Sequence, residues 1–238
     1  MTVNIFHNRA YIPKQHNKYN MDKKVLFNIS SGLYVVGTFD GCRPVGCIIN
    51  TCFQVTSQNP ILAVSLNKNN YTLKAIHDSK RFSLSIIAED TNPAIIGAFG
   101  FCSSRDNEKY DAFGYEPVNG VPFVSGRFAG RLVLEAINFV DNETHEVVFA
   151  RLVDTVPGIG KQMTYDYYHS VIKGKAPKNA PSYVEEEAKT PAANATAEGG
   201  KQKYRCAICG YEVEVEGELP DDYRCPLCKA DKTKFTKQ

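Results

Sequence analysis

Short apolar runs, rich in Val, Ile, Leu and Phe, recur along the first three quarters of the chain and are separated by Gly, Asn, Asp and Pro. Runs of this length between turn residues are typical of β-strands. The pattern predicts strands over residues 32–39, 44–49, 61–66, 81–88, 131–139 and 145–153. We therefore expect a mainly β fold.

Two segments have the spacing of helices instead. In the first, Asn70 or Tyr71 begins a helix, and in the second, Thr91 and Pro93 form a start signal ahead of the apolar positions in 95–99. About six strands with few helices, over about 160 residues, predict a closed or half-open antiparallel barrel with helices across its openings.

The composition changes abruptly after Tyr183. Residues 184–203 include no aromatic side chain and a single aliphatic one, so they cannot build a core and predict a flexible linker. The residues before Met21 are interpreted as a solvated extension or as the result of a mis-assigned start. The predicted divisions are an N-terminal extension at 1–20, a larger domain at 21–175, the linker at 176–202 and a small domain at 203–238.

Overall composition and charge limit the classes of function. Hydrophobic residues make up 43% and charged residues 23% of the chain, which is ordinary globular composition. The net charge of +2 provides no strong basic field, so nucleic acid is not expected as a partner. No apolar stretch approaches the roughly 20 residues of a membrane-spanning helix, and the N-terminus has no apolar run typical of a secretion signal. We expect a cytoplasmic protein without a membrane partner, in which the eight cysteines are not disulfide-bonded.

Four cysteines in the small domain have the spacing of a metal site. Cys206, Cys209, Cys225 and Cys228 form a C-x2-C-x15-C-x2-C pattern, in which two short loops can direct four thiolates to one metal. A domain shorter than ~40 residues usually needs such a cross-link to fold. The spacing alone suits structural zinc as well as iron. Nearby aromatic residues favour iron: Tyr204, Tyr211, Tyr223 and Phe235.

The residues around these cysteines resemble a rubredoxin. The stretches 204–211 and 219–228, followed by 232–235, carry the resemblance, which covers nearly all of the last 36 residues. It implies one iron bound by four Cys and one-electron transfer, whereas zinc remains the alternative.

Three stretches of the larger domain, 44–56, 65–72 and 144–149, carry a second resemblance. From about 25 to 156 the chain resembles the flavin reductase-like family, an FMN-binding split β-barrel. The first stretch is similar to the loop that surrounds the flavin with backbone amides, and the second to the turn that holds its phosphate. The FMN-binding residues implied are Asn50, Thr51, Cys52, Val55, Thr56, Ser65, Asn67, Lys68, Tyr71 and Thr72.

The second stretch also makes physical sense as an anion site. Asn amides, the Lys68 ammonium, the Thr72 hydroxyl and the N–H groups of a following helix could together bind a phosphate. Without the resemblance, an ordinary polar turn is the simpler interpretation.

The third stretch contains His145, which the resemblance places close to the nicotinamide-binding face, as the candidate catalytic residue. A solvent-exposed histidine at the start of a strand is the alternative. His169 lies in a tract, 167–174, that resembles the end of this domain in flavin reductase and rubredoxin fusions, and its role stays open. Cys42, Cys47 and Cys102 lack metal spacing, as does Cys52, and all four are expected to be reduced, buried small residues.

The two modules together resemble the high-molecular-weight rubredoxins of anaerobes. The resemblance implies an NAD(P)H-dependent oxidoreductase that passes electrons through FMN to iron and then to a flavodiiron protein that reduces oxygen or nitric oxide. It also implies a homodimer. The alternative is a flavin reductase that supplies reduced flavin and carries a structural zinc-ribbon tail that docks a partner. The sequence does not distinguish NADH from NADPH.

Overall fold

The computed structural model describes residues 23–172, 174, 176, 180–181, 202–206, 211–225 and 230–237, to which all structural statements below refer. The predicted extension at 1–20 and most of the predicted linker lie outside the described residues. Within the described ranges, no helix is both long and apolar enough to span a membrane.

A seven-stranded antiparallel sheet forms most of the larger domain, which confirms the mainly β prediction. The strands in chain order are β1 (Tyr34–Asp40), β2 (Arg43–Ile49), β3 (Cys52–Gln54), β4 (Ile61–Asn67), β5 (Arg81–Ile87), β6 (Tyr115–Val118), β7 (Val121–Val124), β8 (Phe128–Asn142) and β9 (His145–Pro157). Within the sheet the order is β2-β1-β5-β8-β9-β4-β3, and β6 and β7 form a separate hairpin.

The two edge strands of this sheet, β2 and β3, are consecutive in the chain. Only Asn50 and Thr51 connect them, so the Cα atoms of Ile49 and Cys52 can be at most about 11 Å apart. The edges of a flat seven-stranded sheet would be about 28 Å apart. The sheet must therefore curl into a barrel, and β2 and β3 face each other without pairing across a seam. This is the split barrel that the sequence predicts.

Three α-helices accompany the barrel: α1 (Tyr71–Ser79), α2 (Pro93–Phe101) and α3 (Tyr165–Ser170). Short 3₁₀ helices are present at Lys23–Asn28, Lys109–Ala112 and Lys232–Lys234.

The caps of the first two helices lie close to the predicted start signals. Asn70 caps α1, since its Oδ1 accepts a hydrogen bond from the backbone N–H of Thr72 at 3.0 Å. Asn92 caps α2, whereas the Thr91 hydroxyl donates instead to the carbonyl of Arg127 at 2.6 Å. The prediction that Thr91 is part of the start signal is therefore wrong by one residue.

The two largest apolar clusters stabilise the larger domain. One fills the barrel, and Leu73 and Ile76 from a single face of α1 enter it. The other lies between the sheet and the helices, where Phe99 of α2 and Tyr168 of α3 are both buried. Because these clusters hold α1 and α2 against the barrel, the loops at their ends have fixed positions.

The small domain is built on a three-stranded antiparallel sheet. Its strands are β10 (Gln202–Cys206), β11 (Glu212–Val215) and β12 (Phe235–Lys237), in the order β11-β10-β12.

Candidate functional site

The loop between β4 and α1, residues 67–72, is held by hydrogen bonds within itself and to a neighbouring turn. Asn67 accepts from the N–H of Asn69 through Oδ1 and from the N–H of Asn70 through its carbonyl, both at 2.9 Å. The N–H of Lys68 donates to the carbonyl of Thr144 at 3.0 Å. The backbone donors of the loop are therefore largely occupied.

Two amides in the first turn of α1 are occupied as well. The N–H of Thr72 donates to Asn70 Oδ1, and the N–H of Leu73 donates to the Asn70 carbonyl at 3.1 Å. Of the helix amides predicted to be available to a phosphate, those of Thr72 and Leu73 are therefore already used within the protein. An anion at this loop has to be bound mainly by side chains.

Side chains of suitable charge do surround a pocket beside the loop. The pocket has a volume of about 470 Å³ and is lined by Lys68, Asn69, Asn70, Tyr71, Lys74 and Arg105. We call it the Tyr71 pocket. The Tyr71 hydroxyl donates to Asp40 Oδ2 at 2.5 Å, which fixes the ring between α1 and the β1–β2 turn. Three of the six lining residues are cations, so the pocket suits an anionic ligand.

The β8–β9 turn brings His145 beside the same loop. His145 lies opposite Asn67 in the pairing of β4 with β9, and its Nδ1 is 2.9 Å from the Thr144 hydroxyl oxygen. Lys68 forms an ion pair with Asp141, near the end of β8. His145 is partly buried, so the interpretation as a simple exposed residue does not hold. Its role at the nicotinamide face stays a prediction.

The predicted ring-binding segment divides into two parts. Thr51 is tied to Ser65, because the N–H of Ser65 donates to the Thr51 carbonyl at 3.1 Å. The Thr51 hydroxyl donates to the Oδ1 of the buried Asn50 at 3.1 Å, and Cys52 lies opposite Val64. Asn50, Thr51 and Cys52 therefore lie beside the C-terminal half of β4, near the Tyr71 pocket.

Val55 and Thr56 lie towards the other end of β4. The N–H of Val55 donates to the carbonyl of Ile61 at 2.7 Å, and the Thr56 hydroxyl donates to the Asn59 carbonyl at 2.6 Å. Ile61 and Asn67 are separated by about 20 Å along the strand. The structure therefore does not bring Val55 and Thr56 together with the loop at 67–72.

Thr72 does not line the pocket. It is fully buried, and its side chain contacts the Cys47 thiol inside the barrel. A direct bond from its hydroxyl to a ligand in the Tyr71 pocket is not supported by this position.

Two of the remaining thiols, those of Cys47 and Cys52, are not activated. Burial raises the pKa of Cys52 to about 12 and also raises the pKa of Cys47, so both stay protonated at neutral pH. Cys102 is partly exposed, while Cys42 is exposed, and the expectation that all four are buried is wrong for Cys42.

His169 packs among aromatic rings of α3. Its ring is 4.3 Å from that of Tyr165 and perpendicular to it, and 5.4 Å from that of Tyr168. These contacts account for the residue without a catalytic role.

Lys74, Arg105 and the neighbouring Arg43 are the residues of this site that sequence reasoning missed. Lys74 follows Tyr71 by one helical turn, which a search of the helix for further cations could have found. Arg105 and Arg43 come from separate parts of the chain, and only the fold brings them to the Tyr71 ring.

In the small domain, Cys206 and Cys225 are buried together. They pack with partly buried apolar side chains in one cluster: Phe101, Tyr211, Ala230 and Phe235. Phe101 is the last residue of α2, so the larger domain contributes to this cluster.

The two cysteine loops repeat one local geometry. The N–H of Cys206 donates to the carbonyl of Tyr211, and the N–H of Cys225 donates to the carbonyl of Ala230, both at 2.8 Å. In each case the acceptor lies five residues after the cysteine in the chain. Next to these bonds, Arg205 lies opposite Glu212. Arg224 lies opposite Asp231 in the same way.

Such a repeated hairpin suits two pairs of thiolates around one tetrahedral metal. Cys209 and Cys228 lie outside the described residues, and the described part of the chain has no group of three or more candidate ligands. The four-cysteine site therefore stays a prediction, with a fold around Cys206 and Cys225 that fits it.

The geometry defines a class of protein: a split barrel with a basic pocket at a strand-to-helix loop, joined to a domain of two cysteine hairpins. Residues 26–174 match the flavin reductase like domain, and residues 204–236 match the rubrerythrin, rubredoxin-like domain. The chain belongs to the flavin reductase like domain family and carries a rubredoxin-like domain after it. Both resemblances predicted from the sequence are confirmed.

Named relatives have the same organisation or part of it. The chain is 34% identical over 231 residues to the high molecular weight rubredoxin of Moorella thermoacetica, which covers 90% of this chain and 99% of that protein. It is 36% identical over 167 residues to the ferric-chelate reductase (NAD(P)H) of Archaeoglobus fulgidus, covering 69% of this chain and 99% of that protein. The NADH:FAD oxidoreductase of Streptomyces globisporus C-1027 shares the fold, with a TM-score of 0.54 at 14% identity over 60% of this chain and 85% of that one.

Proposed function

We propose that this protein is an NAD(P)H-dependent oxidoreductase that passes electrons through bound FMN to an iron held by four cysteines. The observation that carries the proposal is the presence, in one chain, of a flavin reductase-like barrel with a basic pocket and a rubredoxin-like domain. The names of the relatives support NAD(P)H as the donor and iron as the acceptor.

A bound flavin supplies the ability to take two electrons from a nicotinamide and to give them up one at a time. The chain's own residues hold and orient the reactants. Lys68 offers positive charge to the Tyr71 pocket, and Asn50 and Thr51 offer polar groups at the seam. His145 lies opposite Asn67, and its proposed role is to contact an incoming nicotinamide.

On this proposal the FMN contacts are divided along β4. Ser65, Asn67, Lys68 and Tyr71 serve the phosphate end, and the segment from Asn50 to Cys52 serves the ring. Val55 and Thr56 contact the ring only if it extends along the strand away from the pocket.

The small domain provides the iron site through Cys206, Cys209, Cys225 and Cys228. We place it at 203–238, after a linker at 176–202 and a flavin domain at 21–175. The Cys206 and Cys225 hairpins are closed by the same backbone hydrogen bond, so they would provide two similar ligand loops on the two sides of the metal.

The barrel has an apolar outer face that supports a homodimer. Phe53 and Phe149 flank the buried Ala63 in one row across β3, β4 and β9, on the face opposite the barrel core, and Phe53 is 59% exposed. Val140 and Val147 form the next apolar row. We propose that a second copy of the chain covers this face. Phe53→Glu should then convert a dimer to a monomer in sedimentation velocity.

The test of the proposed function is an anaerobic titration of the purified protein with NADH and NADPH, with metal analysis of the same sample. Bleaching of both flavin bands and the ferric–thiolate absorption supports transfer from nicotinamide to iron. The matched variant, Cys206→Ser with Cys225→Ser, should lose the iron absorption and keep flavin reduction. A yellow protein that contains zinc would overturn the proposal in favour of a flavin reductase with a structural tail.

We further propose a flavodiiron protein as the terminal acceptor, in the cytoplasm of an anaerobe. Reoxidation of the reduced protein on mixing with a flavodiiron protein, and its loss when residues 203–238 are deleted, would support that assignment. Equal reoxidation of the full and truncated chains would remove it.

A further inference from the structure

The Tyr71 ring is surrounded by positive charge. The guanidinium carbon of Arg43 is 5.5 Å from the ring centroid, and Lys74 Nζ and the guanidinium carbon of Arg105 are each 5.9 Å from it. The charges of Lys74 and Arg105 are therefore at most about 12 Å apart. The pocket that these two residues line lies between α1 and the segment after α2.

These cations differ in how far the protein neutralises them. Arg43 pairs with Glu108 at 2.7 Å, and Lys68 pairs with Asp141. Neither Lys74 nor Arg105 forms an ion pair with any residue that the structure describes. The six residues lining the pocket, all of them described, include no carboxylate.

Uncompensated like charges repel one another, and a dianion placed between them removes that repulsion. The backbone donors of the loop at 67–72 are largely occupied, so they cannot replace these side chains. A phosphate monoester has the charge and the number of acceptor oxygens to engage both an ammonium and a guanidinium.

We propose that Lys74 and Arg105, whose charges both lie 5.9 Å from the Tyr71 ring centroid, act with Lys68 to bind the phosphate monoester of a nucleotide in the Tyr71 pocket. This inference rests on the proposed function, because it assigns a nucleotide phosphate to that site. Two sources carry this chemistry: the 5′-phosphate of FMN and the 2′-phosphate of NADPH.

The test uses the full chain with Lys74→Ala, Arg105→Ala and the double variant. The matched control is Lys161→Ala with Arg127→Ala, which removes one exposed lysine and one exposed arginine from another part of the barrel. Flavin dissociation constants are measured by fluorescence for FMN and for riboflavin, which lacks the phosphate. The KM values for NADPH and NADH are measured on the same samples, and circular dichroism reports the fold.

Each charge-assisted hydrogen bond contributes enough that the double variant should weaken binding by about 10- to 100-fold. Weaker binding of FMN with unchanged binding of riboflavin identifies the flavin phosphate. A raised KM for NADPH with unchanged NADH and FMN constants identifies the 2′-phosphate. Arg105→Lys should retain most of the affinity.

Two results would overturn the proposal. In one, the double variant matches the control in all four constants. In the other, FMN and riboflavin lose affinity equally. Either can occur while the wild-type protein still reduces its iron with NAD(P)H, so failure here is distinguishable from failure of the proposed function.

Discussion

Replacing Lys109 by methionine should remove a rise in stability that the wild-type protein shows between pH 8 and pH 10.5. Lys109 is only 6% exposed, and its ammonium donates to the carbonyls of Gly46 at 2.8 Å and Phe99 at 3.3 Å. Burial, the largest effect, lowers its pKa from the ordinary 10.5 to about 8, against the opposing influence of the Cys47 and Cys102 thiols.

The sign follows from proton binding. Between pH 8 and 10.5 the unfolded chain keeps the proton on Lys109 and the folded chain does not, so unfolding takes up a proton and stability rises with pH. At about 1.4 kcal/mol for each pH unit, the difference between 10.5 and about 8 corresponds to about 3 kcal/mol. Below pH 8 the lysine is charged in both states, and the cost of its burial is fully present.

The measurement is urea unfolding, followed by far-UV circular dichroism because the chain has no Trp, at pH values from 7 to 10.5 under reducing conditions. Titrations of groups that do not interact with Lys109 occur in wild type and variant alike and cancel in their difference. That difference should change by about 3 kcal/mol in favour of the wild type as the pH rises. Lys161→Met, at an exposed lysine, is the matched control and should follow the wild type. Parallel curves for Lys109→Met and the wild type would refute the reasoning.

Three further substitutions can be tested by urea unfolding or ligand titration. Gly37→Ala should lower the free energy of unfolding by about 2–3 kcal/mol, because the new Cβ would lie 2.4 Å from the Tyr110 hydroxyl and 2.8 Å from a backbone carbonyl. Gly130→Ala is the control and should not destabilise the protein. Tyr110→Phe should raise the free energy of unfolding by about 1 kcal/mol, because the buried Tyr110 hydroxyl has no hydrogen-bond partner among the described residues. A loss of stability would contradict this prediction. Asp141→Asn should leave the free energy of unfolding within about 1 kcal/mol of the wild-type value. Because it releases Lys68, it should also tighten FMN binding a few-fold. Unchanged FMN affinity would count against Lys68 as a phosphate ligand.

The long strands of the barrel were predictable from the sequence, and the short ones were not. Apolar runs mark β1, β2, β4 and β5 to within about two residues, because each buries one or both faces over seven positions. The three residues of β3 and the four each of β6 and β7 are too few to form a pattern. Both β8 and β9 continue past their predicted ends because their outer parts pair with each other, where apolar alternation weakens.

The site was predictable only in part for a related reason. Resemblance located the loop at 67–72, but the capping role of Asn70 and the turn formed by Asn67, which occupy its amides, needed the structure. Arg105 lies in a polar segment that reads as a solvated loop. The same segment contains Lys109, whose burial no local pattern indicates, because only the packing of that segment on β2 creates it.

The two-residue link between β2 and β3 has a consequence for how this barrel can change. Asn50 and Thr51 set the circumference of the barrel, because they join the two ends of an otherwise open sheet. Each residue inserted there would add about 3.5 Å to the distance the seam can open. Surface loops elsewhere in the domain can lengthen without altering the wall. The link between β2 and β3 cannot lengthen without altering the barrel. The segment proposed to contact the flavin ring is therefore also the one that fixes the width of the space in which the ring must fit.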